Sequence, residues 1–425
     1  MGFPNADVLI VGAGPAGLAA AAACRQSNVS YFICDLGERL SQRSRSDPSS
    51  LVCGTGGAGL YSDGKFSFFP SATKLWNLED SEALRRAYEW FGELVSPFGV
   101  EVPRFENVDP PVVPVLMHDS VKQKRYKSQY VAFEVRRRLI GMLEQQHGPY
   151  LMNEVFARLL IEGDGGSVVC EVERERGVRT TSSQRGIIFA AGRHGPLAFH
   201  AATSLPTVFR FVELGVRIEQ SASEFFLRGQ PDLDPKLLLP LSPDSECRTF
   251  CCCREGEAVE THTPEGILSL SGRADVGATG RSNVGFNLRT RNQALGTQIW
   301  REYVSIDQAP NVRETEWMQG QELISEETMI HVAGWVGPTA ASMLVRGLEN
   351  LIDAFPDLKM ARVRLLGPCV EGVGWYPAID QSLRVTPYPL WVAGDATGIF
   401  RGLTASFVSG YYAGLRAAHE ISKVR

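Results

Sequence analysis

Apolar residues along the chain fall into short unbroken runs and longer amphipathic stretches. Val8–Val11, Tyr31–Cys34, Gly186–Ala191 and Leu390–Ala393 carry no polar alternation, as strands buried on both faces of a parallel sheet do. The Ala-rich run Leu18–Cys24 and the stretches Ser81–Val95, Asn292–Tyr303, Ala340–Phe355 and Ser406–Ile421 have helical spacing. Val155–Ile161 and Val168–Glu173 predict a short β-meander turned at Gly163–Gly166. Further strands are expected at Val216–Ile218, Ile267–Leu270 and Val284–Leu288, and a Pro-rich tract runs from Val102 to Pro114. Repeats, heptads and low-complexity linkers are absent.

The first strand breaks into Gly12-Ala-Gly14-Pro15-Ala16-Gly17 and leads straight into the Ala-rich helix. Gly12 allows the tight turn, Gly14 lets the backbone approach a pyrophosphate, and Gly17 lets the helix pack closely on the strand. The helix N-terminus adds unpaired N–H groups and the positive end of its dipole. Asp35 ends the second strand, 18 residues after Gly17, where a carboxylate can meet a ribose diol. Strand, glycine triplet, helix, strand and acid together predict a dinucleotide site. They leave open whether the dinucleotide is FAD or a nicotinamide.

At the other end, Leu390-Trp-Val-Ala-Gly394-Asp395-Ala-Thr-Gly398 precedes Arg401-Gly402-Leu403-Thr404 and the last helix. This tract resembles the second FAD fingerprint of the glutathione-reductase-type flavoproteins. The resemblance implies that Asp395 holds a ribityl hydroxyl, and that the helix start at Gly402, Leu403 and Thr404 faces the flavin's pyrimidine edge. Ala191-Gly192, ending its own strand, resembles the Ala-Thr-Gly-type strand end of the same flavoproteins. The meander beginning at Val155 then covers the adenine side through backbone contacts. Cys53-Gly-Thr-Gly56-Gly57-Ala58-Gly59-Leu-Tyr-Ser-Asp63-Gly-Lys65 is similar to the signature of a family described as uncharacterised NAD(FAD)-utilising dehydrogenases. Further matches lie at Leu214–Glu219, Arg248–Cys251, Ser282–Phe286 and Thr397–Leu403, so the likeness is spread along the chain. It implies FAD and leaves the substrate undefined. By its own chemistry, the Gly-rich segment bares backbone N–H groups to a planar ligand. Gly56 to Gly59 is expected to run past the flavin or its pyrophosphate, with Lys65 reaching the flavin or a substrate acid.

At 425 residues the chain exceeds the size at which one core keeps growing. The expected architecture is α/β: a Rossmann-type FAD-binding domain with a parallel sheet and β-meander, plus a second, α+β substrate domain. The first is assembled from 1–70, 128–200 and 365–425, the second from 71–127 and 201–364. A net charge of −5 argues against a nucleic-acid partner. No apolar run reaches the length of a membrane span and no cationic leader precedes Asp7, so the expected compartment is the cytoplasm. Nine scattered cysteines do not form a secreted disulfide framework. In a strand Cys251 and Cys253 share one face, as a metal or redox pair would, but the reading favoured for Cys251-Cys252-Cys253 is buried small hydrophobes. Cys53 lacks a partner cysteine four or five residues away, which disfavours a disulfide-reductase mechanism. No metal-ligand pattern is present.

No second Gly-x-Gly-x-x-Gly marks a nicotinamide domain, and the histidine that usually follows this aspartate in aromatic-ring hydroxylases is missing. The leading expectation is an FAD-dependent dehydrogenase or oxidase moving a hydride between a small organic substrate and flavin N5. The alternatives are a flavin reductase or monooxygenase reduced by NAD(P)H, with O2 as co-substrate, and a flavoprotein whose FAD is structural or redox-sensing. His194 suits general-base work by its ordinary pKa, Arg193 neighbours it, and Arg401 is placed to hold negative charge at N1 and O2. His331, Trp335 and Tyr376 are weaker pocket candidates.

Overall fold

The computed structural model describes residues 6–423 except 73, 106–114, 119–120, 163–166, 175–178, 183–184, 203–204, 264–265, 275–276 and 307–312. The turn expected at 163–166 and most of the Pro-rich tract lie outside the described residues. The chain forms two compact units, one of residues 1–111, 126–208 and 375–425, the other of 112–125 and 209–374. These bounds differ from the expected ones chiefly at 71–111, which joins the first unit. The cause is the helix Ser81–Val95, which buries Leu84, Tyr88, Phe91 and Val95. Its Trp90 stacks on Tyr411 of the last helix with ring centroids 4.4 Å apart, and Phe91 meets Phe407 at 5.9 Å. Asp80 accepts the N–H of Ala83 at 2.9 Å and so caps the helix.

In the first unit a five-stranded sheet runs in the order Leu390–Val392, Gly186–Phe189, Val8–Val11, Tyr31–Cys34, Leu151–Met152. All four pairings are parallel, with Val8 opposite both Gly186 and Tyr31. Every residue of the three central strands is buried, which is why they read as unbroken apolar runs. One face packs Leu9, Val11, Phe32, Ile187, Phe189 and Val392 with Val155 and Leu159 of the antiparallel meander Val155–Glu162, Ser167–Arg174, Arg179–Ser182. The helix Pro15–Gln26 packs on the final helix Leu403–Lys423 so closely that a Cβ at Gly410 would collide with the Ala16 carbonyl. A Rossmann-type parallel sheet with a meander is therefore present as expected.

The second unit is built on an eight-stranded sheet. Its order is Met318–Gln319, Arg362–Pro377, Thr207–Ser221, Arg281–Thr290, Ser245–Cys253, Lys236–Ser242, Val121–Lys124, Val115–His118. Helices Gln293–Val304, Glu326–Val336 and Pro338–Ala354 accompany it, the last burying Leu344, Leu348 and Leu351. Thr207–Ser221 is far longer than the Val216–Ile218 expected, because charged residues inside it are paired within the sheet. Glu213 accepts from Arg289 Nε at 2.7 Å and Glu219 from Arg364 Nε at 2.8 Å. Among the described residues no helix is long and apolar enough to cross a membrane.

Candidate functional site

Three turns distant in sequence meet in the first unit. Gly12, at φ +106°, turns the first strand toward its helix, and a Cβ there would sit 2.5 Å from the Ala190 carbonyl oxygen. Gly14 begins the helix with φ −71° and ψ −179°, no side chain caps it, and Pro15 follows. Opposite lies the Gly-rich loop: Gly56 donates to the Ala13 carbonyl at 2.9 Å, and Gly57 approaches Gly14 backbone to backbone. At φ +56° and ψ −166°, Gly57 occupies a region that is essentially glycine's alone, and a Cβ would lie 3.1 Å from Gly14 Cα. The third turn, Gly394–Gly402, enters the last helix, whose Leu403 packs where a Cβ on Gly59 would stand. Among the described residues, no hydrogen bond uses the N–H groups of Gly14, Ala16, Gly17, Ala58, Gly59, Leu403 or Thr404. Two helix starts and one glycine loop thus present unspent donors from one half of the fold.

Asp35 is held by the protein's own loops at the position its spacing marks. Its Oδ2 accepts the N–H of Ala13 at 2.6 Å, and its Oδ1 those of Gly37 and Gly54 at 2.8 and 2.9 Å. Three of about four acceptor sites are therefore used on the protein's own loops, leaving one lone pair for a ribose. An aspartate is short enough to stay against the turn. Burial raises its carboxyl's pKa, opposed by the N–H groups of Ala13 and Gly37, by the Arg43 charge and by the Gly54 N–H. Val155 likewise spends its N–H on the Asp35 carbonyl at 3.0 Å, and its side chain is buried in the core.

Two buried arginines hold the Gly-rich loop from behind. Arg43 donates to the carbonyls of Thr55 at 2.8 Å, Gly57 at 3.0 Å and Ser50, and its guanidinium lies over the Tyr61 ring. Arg136 donates to the carbonyls of Ser62 at 2.8 Å and Gly59 at 3.1 Å. Asn153 joins them, donating to the Gly37 carbonyl and Thr55 Oγ1 while its own Oδ1 is buried without a partner. None of the three was singled out in the sequence. Arg136 did leave a trace, since it occupies the buried stripe of its helix with Leu139, Ile140 and Leu143.

The polar wall near the last turn contains Asp395, Thr404, His194 and two arginines. Asp395 Oδ2 lies 3.7 Å from Arg193 Nε, whereas its Oδ1 is buried with no partner. Thr404 Oγ1 and His194 Nδ1 are also buried without partners. Unpaired buried polar atoms are costly, and a polar ligand could pair these three. Burial, then the charges of Arg193 and Arg401, push the His194 pKa down to about 3. Both influences favour the neutral imidazole. Arg401 is half-buried at the turn before the last helix, beside exposed Gly402. Ala191 is exposed and Gly192, at φ +72°, opens the turn that carries Arg193 and His194. Lys65 lies with its Nζ 5.6 Å above the Tyr126 ring. Tyr376 packs against Gly398, whereas His331 and Trp335 belong to the second unit.

Residues 10–78 match the family model described as an NAD(P)-binding Rossmann-like domain. No curated protein matches the chain. Among solved structures it is similar to a flavoprotein/dehydrogenase from Cytophaga hutchinsonii, at 14% identity over 98% of this chain and 79% of that one, with a TM-score of 0.42. A geranylgeranyl bacteriochlorophyll reductase-like protein from Thermoplasma acidophilum matches at 12% identity over 99% and 79%, with a TM-score of 0.43. Likeness at this level leaves the functional reading to the site itself.

Proposed function

We propose that the chain is an FAD-dependent oxidoreductase, a dehydrogenase or oxidase of the NAD(FAD)-utilising kind, acting on a small organic substrate. The observation that carries this is the convergence of the Gly12–Gly17, Gly54–Gly59 and Gly394–Thr404 turns, with unspent N–H donors on one side and the orphaned Asp395 Oδ1 and Thr404 Oγ1 on the other. The donors fit a diphosphate and the orphaned oxygens fit hydroxyl and N–H groups, a combination that a flavin dinucleotide offers along its length. FAD, when bound, supplies a two-electron centre for hydride transfer.

The chain's own groups have separable parts in this reading. The N–H groups of Gly14, Ala16 and Gly17 hold the diphosphate, and Asp35 fixes the turn that aims them. Asp395 Oδ1 accepts a hydroxyl of the cofactor's linker. The start of the last helix and Arg401 favour negative charge at the cofactor's pyrimidine edge. His194, kept neutral, orients a polar group without exchanging its proton. The second unit carries the substrate-selecting surface.

The test is the colour and content of the purified protein. A yellow protein whose heat-released flavin co-elutes with FAD supports the assignment. A colourless protein that takes up no FAD on reconstitution, or one that releases FMN, overturns it.

A further inference from the structure

Within the second unit a cation is buried with no carboxylate. Arg217 is 0% exposed, and among the described residues no acidic side chain pairs with it. Its Nε donates to Asn283 Oδ1 at 2.7 Å and its Nη2 to the Cys251 carbonyl at 2.6 Å, while Nη1 has no hydrogen-bond partner. Nη2 also stands 3.8 Å from Cys253 Sγ. Uncompensated charge at such depth costs several kcal/mol, roughly what removing one partner of a buried pair costs. The acidic groups beside Arg217 are the thiols of Cys251, Cys253 and Cys369. Burial works against the guanidinium's charge, yet these sulfurs hold its pKa above the ordinary range.

The backbone around the sulfurs is shaped to bring two of them together. Alternate residues of a regular strand are about 7 Å apart at Cα. Here the ladder slips between Phe250 and Cys253, and Cys251 has φ +46°, a left-handed value that costs a non-glycine residue free energy. The result is a Cys251–Cys253 Sγ separation of 3.8 Å. Gly272 leaves the needed room: a Cβ there would collide with Arg217 Nη2 and lie 2.6 Å from Cys253 Sγ. Cys251 is half-buried and Cys253 fully buried. Cys252 between them is different, its thiol pushed up to about 11 by burial against the pull of Arg254.

We propose that Cys251 and Cys253 form a redox-active dithiol, with Arg217 as the cation that holds one of the two sulfurs as thiolate, and that a low-molecular-weight disulfide is its oxidant. Cys251, the more accessible sulfur, attacks one sulfur of the external disulfide, whose other half leaves as a thiolate and takes a proton from water. Cys253 then loses its proton to solvent and attacks Cys251 Sγ, expelling the second half as a thiol. Two protein thiols are oxidised to a disulfide and one external disulfide is reduced to two thiols, so electrons and protons balance. This assignment stands apart from the flavin site; Cys252 and Cys253 are buried as the run suggests, and Cys251 is half-buried.

The full-length protein is incubated with oxidised glutathione and followed by intact mass and peptide mapping. The expected result is a loss of about 2 Da, a disulfide rather than a lasting adduct, mapped to the Thr249–Arg254 peptide. It should persist in Cys252→Ser and vanish in Cys251→Ser, while Cys253→Ser should stall as a glutathione adduct on Cys251. No reaction, or a lasting adduct on Cys251 in the unaltered protein, overturns the proposal. Alkylation of Cys251 by iodoacetamide tests the thiolate independently and needs no variant. A rate nearly flat over two pH units around neutrality is expected, whereas a rise of roughly tenfold per unit, as for a thiol of pKa near 8.5, overturns it. Arg217→Lys should retain most of that rate at neutral pH, and Arg217→Met should lower it about tenfold or more if that variant folds.

Discussion

Gly14→Ala separates the cost of a side chain to the fold from its cost to a ligand. The backbone at Gly14 lies at φ −71° and ψ −179°, extended values that any residue adopts, and the nearest atom to an added Cβ is Gly57 Cα at 3.7 Å. The protein therefore has room for the methyl. Alanine caps a helix start less well than glycine by about 0.5 kcal/mol. It also narrows the unfolded ensemble, a gain of about 0.4–1 kcal/mol. These nearly cancel, so the apoprotein should unfold within about 2 °C of the unaltered one. The ligand has no such tolerance. If a diphosphate rests on these N–H groups, the methyl forces it away, and losing one charge-assisted hydrogen bond of about 1.5–3 kcal/mol weakens FAD by roughly tenfold to a hundredfold. Thermal unfolding of the apoprotein and quenching of FAD fluorescence on titration measure the two terms. Unchanged FAD affinity would remove the diphosphate from this turn, and a markedly lower melting temperature would show that Gly14 is needed for packing instead.

Asp35→Asn turns an acceptor into a donor against one of three backbone N–H groups and should cost about 2–3 kcal/mol in urea unfolding of the apoprotein; a ribose contact alone would leave apoprotein stability unchanged. His147 is buried, its Nδ1 lies 2.7 Å from Tyr31 Oη, and burial, then Arg25, lower its pKa from 6.5 to about 4. The unfolded chain therefore takes up that proton first, so the stabilisation is complete above pH 6.5 and lost as pH falls toward about 4, and His147→Gln should flatten the acid limb of stability against pH by up to about 1.4 kcal/mol per pH unit. Arg401→Ala should leave FAD bound, lower the flavin's midpoint potential and raise the His194 pKa, read by potentiometry and imidazole NMR; an unmoved potential would make the arginine structural.

What could be read from the sequence divides along one physical line. The parallel strands were legible because burial on both faces removes polar alternation, and the glycine turns because their constraint is steric and local. Side chains that act through long-range contacts were not. Asp35 stood at ribose-binding spacing, yet its partners are the N–H groups of two loops, one of them 19 residues away. Glu213 and Glu219 broke the apolar pattern of Thr207–Ser221, and only their arginine partners, from other strands, explain why the strand continues through them. The compact units differ from the expected bounds at 71–111, because an amphipathic helix does not announce which surface its apolar face will cover. The spacing of Cys251 and Cys253 puts them on one strand face without bringing their sulfurs together, and their approach depends on a bulge and on Gly272 from a separate hairpin.

The arginines at the Gly-rich loop answer a problem that the glycines create. A loop with four glycines in six residues lets other backbones approach, but it has few side chains to fix its shape and loses the most conformational freedom on ordering. The N–H groups from Gly54 to Gly57 are already spent inside the protein, and holding Ala58 and Gly59 the same way would consume the donors that a dinucleotide needs. Arginine holds the rest by the carbonyls, because a guanidinium offers five donors in a fixed plane and accepts nothing. Arg43 takes the carbonyls of Thr55 and Gly57, and Arg136 those of Gly59 and Ser62, so the loop is held on both sides of Ala58. That leaves the Ala58 and Gly59 N–H groups unspent. Each guanidinium also places a positive charge behind the loop, in low dielectric, where it adds to the attraction of the two helix starts for an anion. The charge that makes these side chains costly to bury is therefore of the sign a diphosphate requires, and cost and use fall on the same residues.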